Sequence, residues 1–174
     1  MILTVPGLYN SGPQHWQSHW EKELPQCFRV LQKEWETPAR KDWVESIEIA
    51  VTGAKPPVFL AGHSLGCIAI AYWVQQTRLS IDGALLVAPA DVERKDFPAG
   101  VTGFQPLPTR KLPFRSIVVA SEDDPWTAPE RAEALARNWG SRFVNIGKAG
   151  HIGSDSGTGG WPRGKELLQE LMNP

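Results

Sequence analysis

Short apolar runs rich in β-branched residues recur along the chain: "ILTVP" (2–6), "CFRVLQ" (27–32), "VFLAG" (58–62), "GALLVAP" (83–89), "SIVVAS" (116–121) and "RFVNIG" (142–147). Several are apolar nearly throughout instead of alternating, which is the pattern of strands buried on both faces. Stretches of helical periodicity separate them, over roughly 13–24, 38–52, 65–78, 127–139 and 162–172. In "ERAEALARNWG", Ala132, Leu135, Ala136 and Trp139 fall on one face and Gly140 supplies the stop. This alternation predicts an α/β fold: a mainly parallel sheet of about six strands between two helical layers, a three-layer sandwich. The segment 91–113 breaks the rhythm with its Pro and Gly content, and its length suggests a loop passing over the sheet. The whole of 1–174 is expected to form one domain.

Composition narrows the function classes. Eighteen basic residues oppose nineteen acidic ones, which argues against a general nucleic-acid or anionic-membrane binder. No apolar run approaches the roughly 20 residues of a membrane helix, and "MILTVPG" lacks the basic and apolar regions of a signal peptide. A cytoplasmic location is the expectation. The two cysteines, Cys27 and Cys67, lie in apolar surroundings and read as buried thiols.

The chemistry concentrates at Gly62-His63-Ser64-Leu65-Gly66, which fits Gly-x-Ser-x-Gly between a buried strand and a helix. A serine at such a turn takes a strained backbone, and side chains two residues either side would collide. Its hydroxyl is then exposed at a helix N-terminus, where the Leu65 N–H can face an oxyanion. A serine needs a base, and the base needs an orienting acid. In the chain order Ser, acid, His, the acid comes from "SEDDPW" and the base is His151, the only histidine after the serine. Neighbours on an extended segment point opposite ways, so one of Asp123 and Asp124 can face His151. Asp124, which precedes Pro125, is preferred. The second oxyanion donor is expected in "VPGLYNSG", as the N–H of Leu8, with Tyr9 as the alternative. Tyr9, His63, Trp126 and Trp161 are expected to border the substrate.

At this point the chain resembles the α/β-hydrolase superfamily. More closely it resembles the small serine hydrolases grouped with retinoblastoma-binding protein nine and its bacterial relatives. The likeness rests on "PGLYNSGPQHWQSHWE", "GHSLGC", "GALLVAPAD", "LPFRSIVVASEDDPW" and "GHIGSDSGTGGWPRGKELLQEL". It implies a compact hydrolase core without a large cap domain, a Ser64–Asp124–His151 triad and esterase-like action on a small acyl substrate; no cofactor or metal is expected. A peptidase, amidase or thioesterase would use the same triad, and a scaffold protein with little turnover is the rival from another class. Retinoblastoma-type pocket binding is not expected. That would want Leu-x-Cys-x-Glu, and Leu65-Gly66-Cys67-Ile68-Ala69 ends in alanine.

Other patterns carry less. His15 and His19 stand four apart, but Trp16 replaces the glutamate of a zincin and no third ligand is evident, so no metal site is expected. "GGWPRGKE" approaches a P-loop, yet Glu166 stands at the Ser/Thr position and Pro162 removes an N–H donor. Eight tryptophans are many for 174 residues. Trp16, Trp126 and Trp161 are candidates for an apolar pocket wall, while Trp20, Trp35, Trp43, Trp73 and Trp139 read as packing.

Overall fold

The computed structural model describes residues 1–173. Six strands, β1 (Ile2–Val5), β2 (Cys27–Arg29), β3 (Phe59–His63), β4 (Gly83–Val87), β5 (Arg115–Ala120) and β6 (Arg142–Asn145), form one sheet in the order β2-β1-β3-β4-β5-β6. Every neighbouring pair is parallel, so the sheet is wholly rather than mainly parallel. The helices are α1 (Trp16–Glu23), α2 (Arg40–Thr52), α3 (Leu65–Gln76), α4 (Pro129–Trp139) and α5 (Pro162–Met172). Among the described residues, no helix is long and apolar enough to cross a membrane.

Side-chain alternation along the strands sorts the core into two layers. Leu3, Val5, Leu60, Ala84, Leu86 and Val118 pack with α2, α3 and α4 through Trp43, Ile47, Ile68, Leu135 and Trp139. Ile2, Phe59, Ala61, Leu85, Val87, Ile117 and Val119 meet α1 and α5 through Trp16, Trp20, Leu167 and Leu168 on the opposite face. Strands apolar on both sides are thus explained by two separate cores, one per face.

The excursion 91–113 runs across the α2, α3 and α4 layer. Arg40 N–H donates to the Thr102 carbonyl at 2.9 Å, Phe104 packs edge-on against Trp43, and Trp139 Nε1–H donates to the Pro108 carbonyl at 2.7 Å. It shields these helices more than the sheet, because its buried Phe104, Leu107 and Leu112 belong to their core.

The strand order reverses direction at β1, so the connections leaving β1 and β3 depart toward opposite faces and open a crevice at the strands' C-terminal ends. Two backbones meet there at close range. A Cβ on Gly66 would lie 2.1 Å from the Val5 carbonyl oxygen and 2.6 Å from that of Pro6. Gly66→Ala therefore forces α3 off the end of β1. The expected cost exceeds about 3 kcal/mol, seen as a melting point lowered by about 10 °C or a loss of soluble protein. An unchanged melting point would show that this contact does not seat the helix.

Candidate active site

Ser64 directly follows β3 and has φ +52° and ψ −121°, a strained conformation for a residue with a side chain. Its environment explains the flanking glycines. A Cβ on Gly62 would sit 2.7 Å from Ile70 Cδ1, and one on Gly7 would sit 2.7 Å from Ser64 Cβ. The β1 loop can therefore press directly against the serine. Ser64 N–H donates to the Val87 carbonyl at 2.9 Å, which ties the turn to β4.

The structure brings Ser64, His151 and Asp124 together across 87 and 27 positions of sequence. His151 Nε2 lies 2.9 Å from Ser64 Oγ, and its Nδ1 lies 2.9 and 3.0 Å from the two Asp124 carboxylate oxygens. The Asp124 side chain is 2% exposed and also accepts the Trp126 N–H at 2.8 Å. With Nδ1–H donating to the carboxylate, the free lone pair on Nε2 points to the hydroxyl. Asp123 is turned elsewhere. Its Oδ1 accepts from Ser121 Oγ and from the N–H groups of Ala149 and Gly150, at 2.8 to 2.9 Å. The Ser121 hydroxyl first, and then the Gly150 N–H, hold its carboxyl below the usual carboxylate range.

Tyr9 N–H is consumed by the Trp35 carbonyl at 2.9 Å, which removes the alternative oxyanion donor. Among the described residues, neither Leu8 N–H nor Leu65 N–H makes a hydrogen bond, and both flank Ser64 or the glycine pressed against it. Arg29 stiffens the β1 loop from beneath. It donates to Asn10 Oδ1, the Ser11 carbonyl, Ser18 Oγ and Glu21, at 2.6 to 3.0 Å.

The turn that carries His151 is clamped at several backbone points. His63 Nε2–H donates to the His151 carbonyl at 2.9 Å, and Trp16 Nε1–H donates to the Ile152 carbonyl at 3.0 Å. Asp123 holds the other flank. Ile152 itself sits at φ +50°, a strained value for a β-branched residue that these contacts sustain. The roles of His63 and Trp16 went unread in the sequence, although the phrase Gly-Pro-x-His-Trp-Gln signalled a specific construction. Gln17 of that phrase is fully buried, accepting from Ser11 Oγ and donating to the Ala61 carbonyl.

A cleft of about 750 Å³ opens above Ser64, bordered by Leu8, Tyr9, His63, Phe97, Trp126 and His151 among others. Trp126 stands in this wall beneath Arg94 and beside Phe97. Two expectations change here. Trp161 is not in the wall: it is 5% exposed and packs on Trp16 and Trp20, with ring centroids at 5.2 and 6.1 Å. Gly164 gives it room, since a Cβ there would lie 2.0 Å from its ring. Trp16 is likewise buried and supports the His151 turn from behind. His63 borders the cleft with its ring, but its Nε2 is committed to His151 and is not offered to a ligand.

His15 caps α1, its Nδ1 accepting the Gln17 N–H at 3.2 Å, while His19 pairs with Glu23. Among the described residues no three His, Cys, Asp or Glu side chains gather as a metal site. In the P-loop-like stretch, Lys165 pairs with Glu23 and Pro162 opens α5. Burial first, then Arg29 and His151, push the His15 pKa down to about 3. Burial first, then His15 and His151, hold His63 well below its usual value. Burial also raises both cysteine thiols, Cys27 to about 12.

The two lowered histidines predict an acid sensitivity. Unfolded, each takes up a proton near its ordinary pKa of 6.5; folded, each stays neutral far below it. Stability is thus fully present above that pH and is lost as pH falls, by about 1.4 kcal/mol per unit for each histidine. Urea midpoints measured from about pH 7 to 5 should decline, and less steeply in His15→Asn. A flat profile in the parent would mean the imidazoles are not buried as described.

Comparisons with known proteins agree on kinship. The family model described as serine hydrolase matches residues 2–170. No curated protein sequence matches. Among solved structures, a protein of Pectobacterium atrosepticum described as a YdeN-like hydrolase is 36% identical, covers 98% of this chain and 89% of its own, and superposes with a TM-score of 0.86. The ydeN gene product of Bacillus subtilis is 17% identical over 99% of this chain and 98% of its own, with a TM-score of 0.75. Carboxylesterase CesB of the same organism, 13% identical over 99% and 84%, shares the fold with a TM-score of 0.64. With its sheet order, its strained serine turn and a family match running almost end to end, the chain belongs to the serine hydrolase family, within the α/β-hydrolase superfamily.

Proposed function

We propose that this protein cleaves a carboxylic ester of a small acyl substrate, using Ser64 as nucleophile, His151 as base and Asp124 as orienting acid. The observation that carries the reading is the continuous hydrogen-bond line from the Asp124 carboxylate through both nitrogens of His151 to Ser64 Oγ, every contact at 2.9 to 3.0 Å. In the first step Ser64 Oγ attacks the carbonyl carbon while His151 Nε2 takes the hydroxyl proton. Asp124 holds the imidazole in the tautomer that leaves Nε2 free and stabilises the imidazolium that forms. The N–H groups of Leu8 and Leu65, having no competing acceptor, receive the tetrahedral oxyanion. The imidazolium protonates the departing alcohol, and the same base then activates water against the acyl-enzyme. Trp126, Phe97 and Pro98 offer apolar surface for the hydrocarbon part of the substrate. What favours an ester over an amide is the fold shared with carboxylesterase CesB, since the triad itself serves both.

A fluorophosphonate probe should label the purified protein, and Ser64→Ala should abolish labelling and lower turnover of short p-nitrophenyl esters roughly 10³-fold or more. Labelling of Ser64→Ala, or a parent that neither labels nor turns over, removes the mechanism and favours a scaffold role.

His63 provides a second test, as a residue acting through His151. His63→Phe keeps the ring but deletes the donor to the His151 carbonyl, so kcat should fall about tenfold to a hundredfold with KM little changed. His63→Gln, whose amide N–H reaches a similar point, should restore most of the loss. Equal loss in both variants would mean that His63 only fills space.

A further inference from the structure

Arg94 does not border the cleft and takes no part in the mechanism above, yet all three nitrogens of its guanidinium are engaged. Nε and Nη2 donate to the two Asp96 carboxylate oxygens at 2.6 and 2.7 Å, and Nη1 donates to the Pro125 carbonyl. The guanidinium carbon also lies 5.2 Å from the centre of the Trp126 ring. A planar fork held at every nitrogen has little freedom left. The backbone that carries it is tied down as well. Asp91 N–H donates to Thr127 Oγ1 at 2.9 Å, Leu107 N–H donates to the Glu93 carboxylate at 2.9 Å, and Arg131 donates to both Asp91 and Glu93.

The peptide group between Pro125 and Trp126 is bonded at both ends. Its carbonyl oxygen accepts from Arg94, and its N–H donates to Asp124 Oδ1 at 2.8 Å. A cation on the oxygen draws electron density away from the nitrogen, so the N–H becomes a stronger donor. That gain falls on a carboxylate with few partners. Asp124 is 2% exposed, and among the described residues only His151 and this N–H donate to it. A carboxylate withdrawn from water depends heavily on each donor it has. The Trp126 N–H thus holds the carboxylate in the plane where both oxygens reach His151 Nδ1.

We propose that Arg94 is a positioning residue for the triad acid, acting on Asp124 through the Pro125–Trp126 peptide. The inference rests on the Ser64 hydrolase reading and extends its machinery into the 91–113 excursion. The segment that walls the cleft with Phe97 and Pro98 also steadies the group that orients His151.

The Arg94 side chain is 26% exposed and outside both cores, so replacing it leaves the packing intact. Arg94→Met keeps an aliphatic cover over Trp126 but removes the cation and the bond to Pro125. Arg94→Lys restores a cationic donor of similar reach. Steady-state hydrolysis of p-nitrophenyl acetate, butyrate and hexanoate is compared in the parent and both variants. Acylation and deacylation both pass through His151, so Arg94→Met should lower kcat about tenfold on all three esters with KM little changed. Arg94→Lys should recover most of that loss. A residue that merely braced the cleft wall would act on KM instead, increasingly with acyl length, and that result overturns the proposal. So does a kcat in Arg94→Met equal to the parent's, or a loss that lysine does not repair. The parent's own turnover and fluorophosphonate labelling keep the two levels apart: an active parent indifferent to Arg94 retains the hydrolase reading and loses this one, whereas an inert parent loses both.

Discussion

The close approach of the β1 terminus to the serine turn is the constraint on which the site depends. Val5 and Pro6 present carbonyl oxygens where Gly66 lacks a side chain, and Gly7 lies against Ser64 itself. No larger residue fits at either contact, so two backbones that diverge to opposite faces of the sheet can still touch at its rim. This contact places two unengaged N–H groups beside one hydroxyl. It also lets Ser64 hold a left-handed conformation, because strain persists where the surroundings over-determine it.

Against that fixed hydroxyl the imidazole has to be delivered from a loop. The sheet provides the rim, but a glycine-flanked turn after β6 would not hold a ring to within tenths of an ångström by itself. Side chains from three other elements do so: Trp16 from α1, His63 from the end of β3 and Asp123 from the β5 loop, each bonded to backbone of the turn. The two donors, Trp16 and His63, are buried and neutral, so they brace the turn without bringing charge beside Ser64 and His151. The aromatic cluster of Trp16, Trp20 and Trp161 is the apolar foundation of this brace, and Trp20 extends it by donating to the Gly160 carbonyl. The hydrogen-bond line from Asp124 through His151 to Ser64 is thus supported by the packing of a whole helix pair, α1 and α5.

How far the sequence could be read depended on the range of each cause. Strand and helix placement came from local periodicity, and all eleven segments have counterparts in the structure, with ends that differ by up to three residues: β2 stops at Arg29, β4 at Val87 and β6 at Asn145, and α1 opens at Trp16. Alternation of side chains along an extended segment allowed at most one of Asp123 and Asp124 to face His151, the Asp-Pro pair favoured Asp124, and Asp124 is the carboxylate that meets His151. Tryptophan was harder. Trp126 and Trp161 have equally plausible loop contexts in the sequence, yet one borders the cleft and the other is enclosed by α1. His63 is expected from the sequence to border the substrate, and no local signal shows that its nitrogen bonds a carbonyl 88 positions away.

By itself, then, the sequence determined the layered parallel sheet, the serine turn and the order of its partners, since each is written in spacing, in glycine clearance or in the run of apolar residues. Only the tertiary structure decided which polar groups are consumed and which are left over: His63 spent on a backbone carbonyl, Asp123 on two amides, His15 with an unused N–H. The reason is that satisfaction of a hydrogen bond is a property of a pair, and the second member of each pair lies on an element that no local pattern connects to the first.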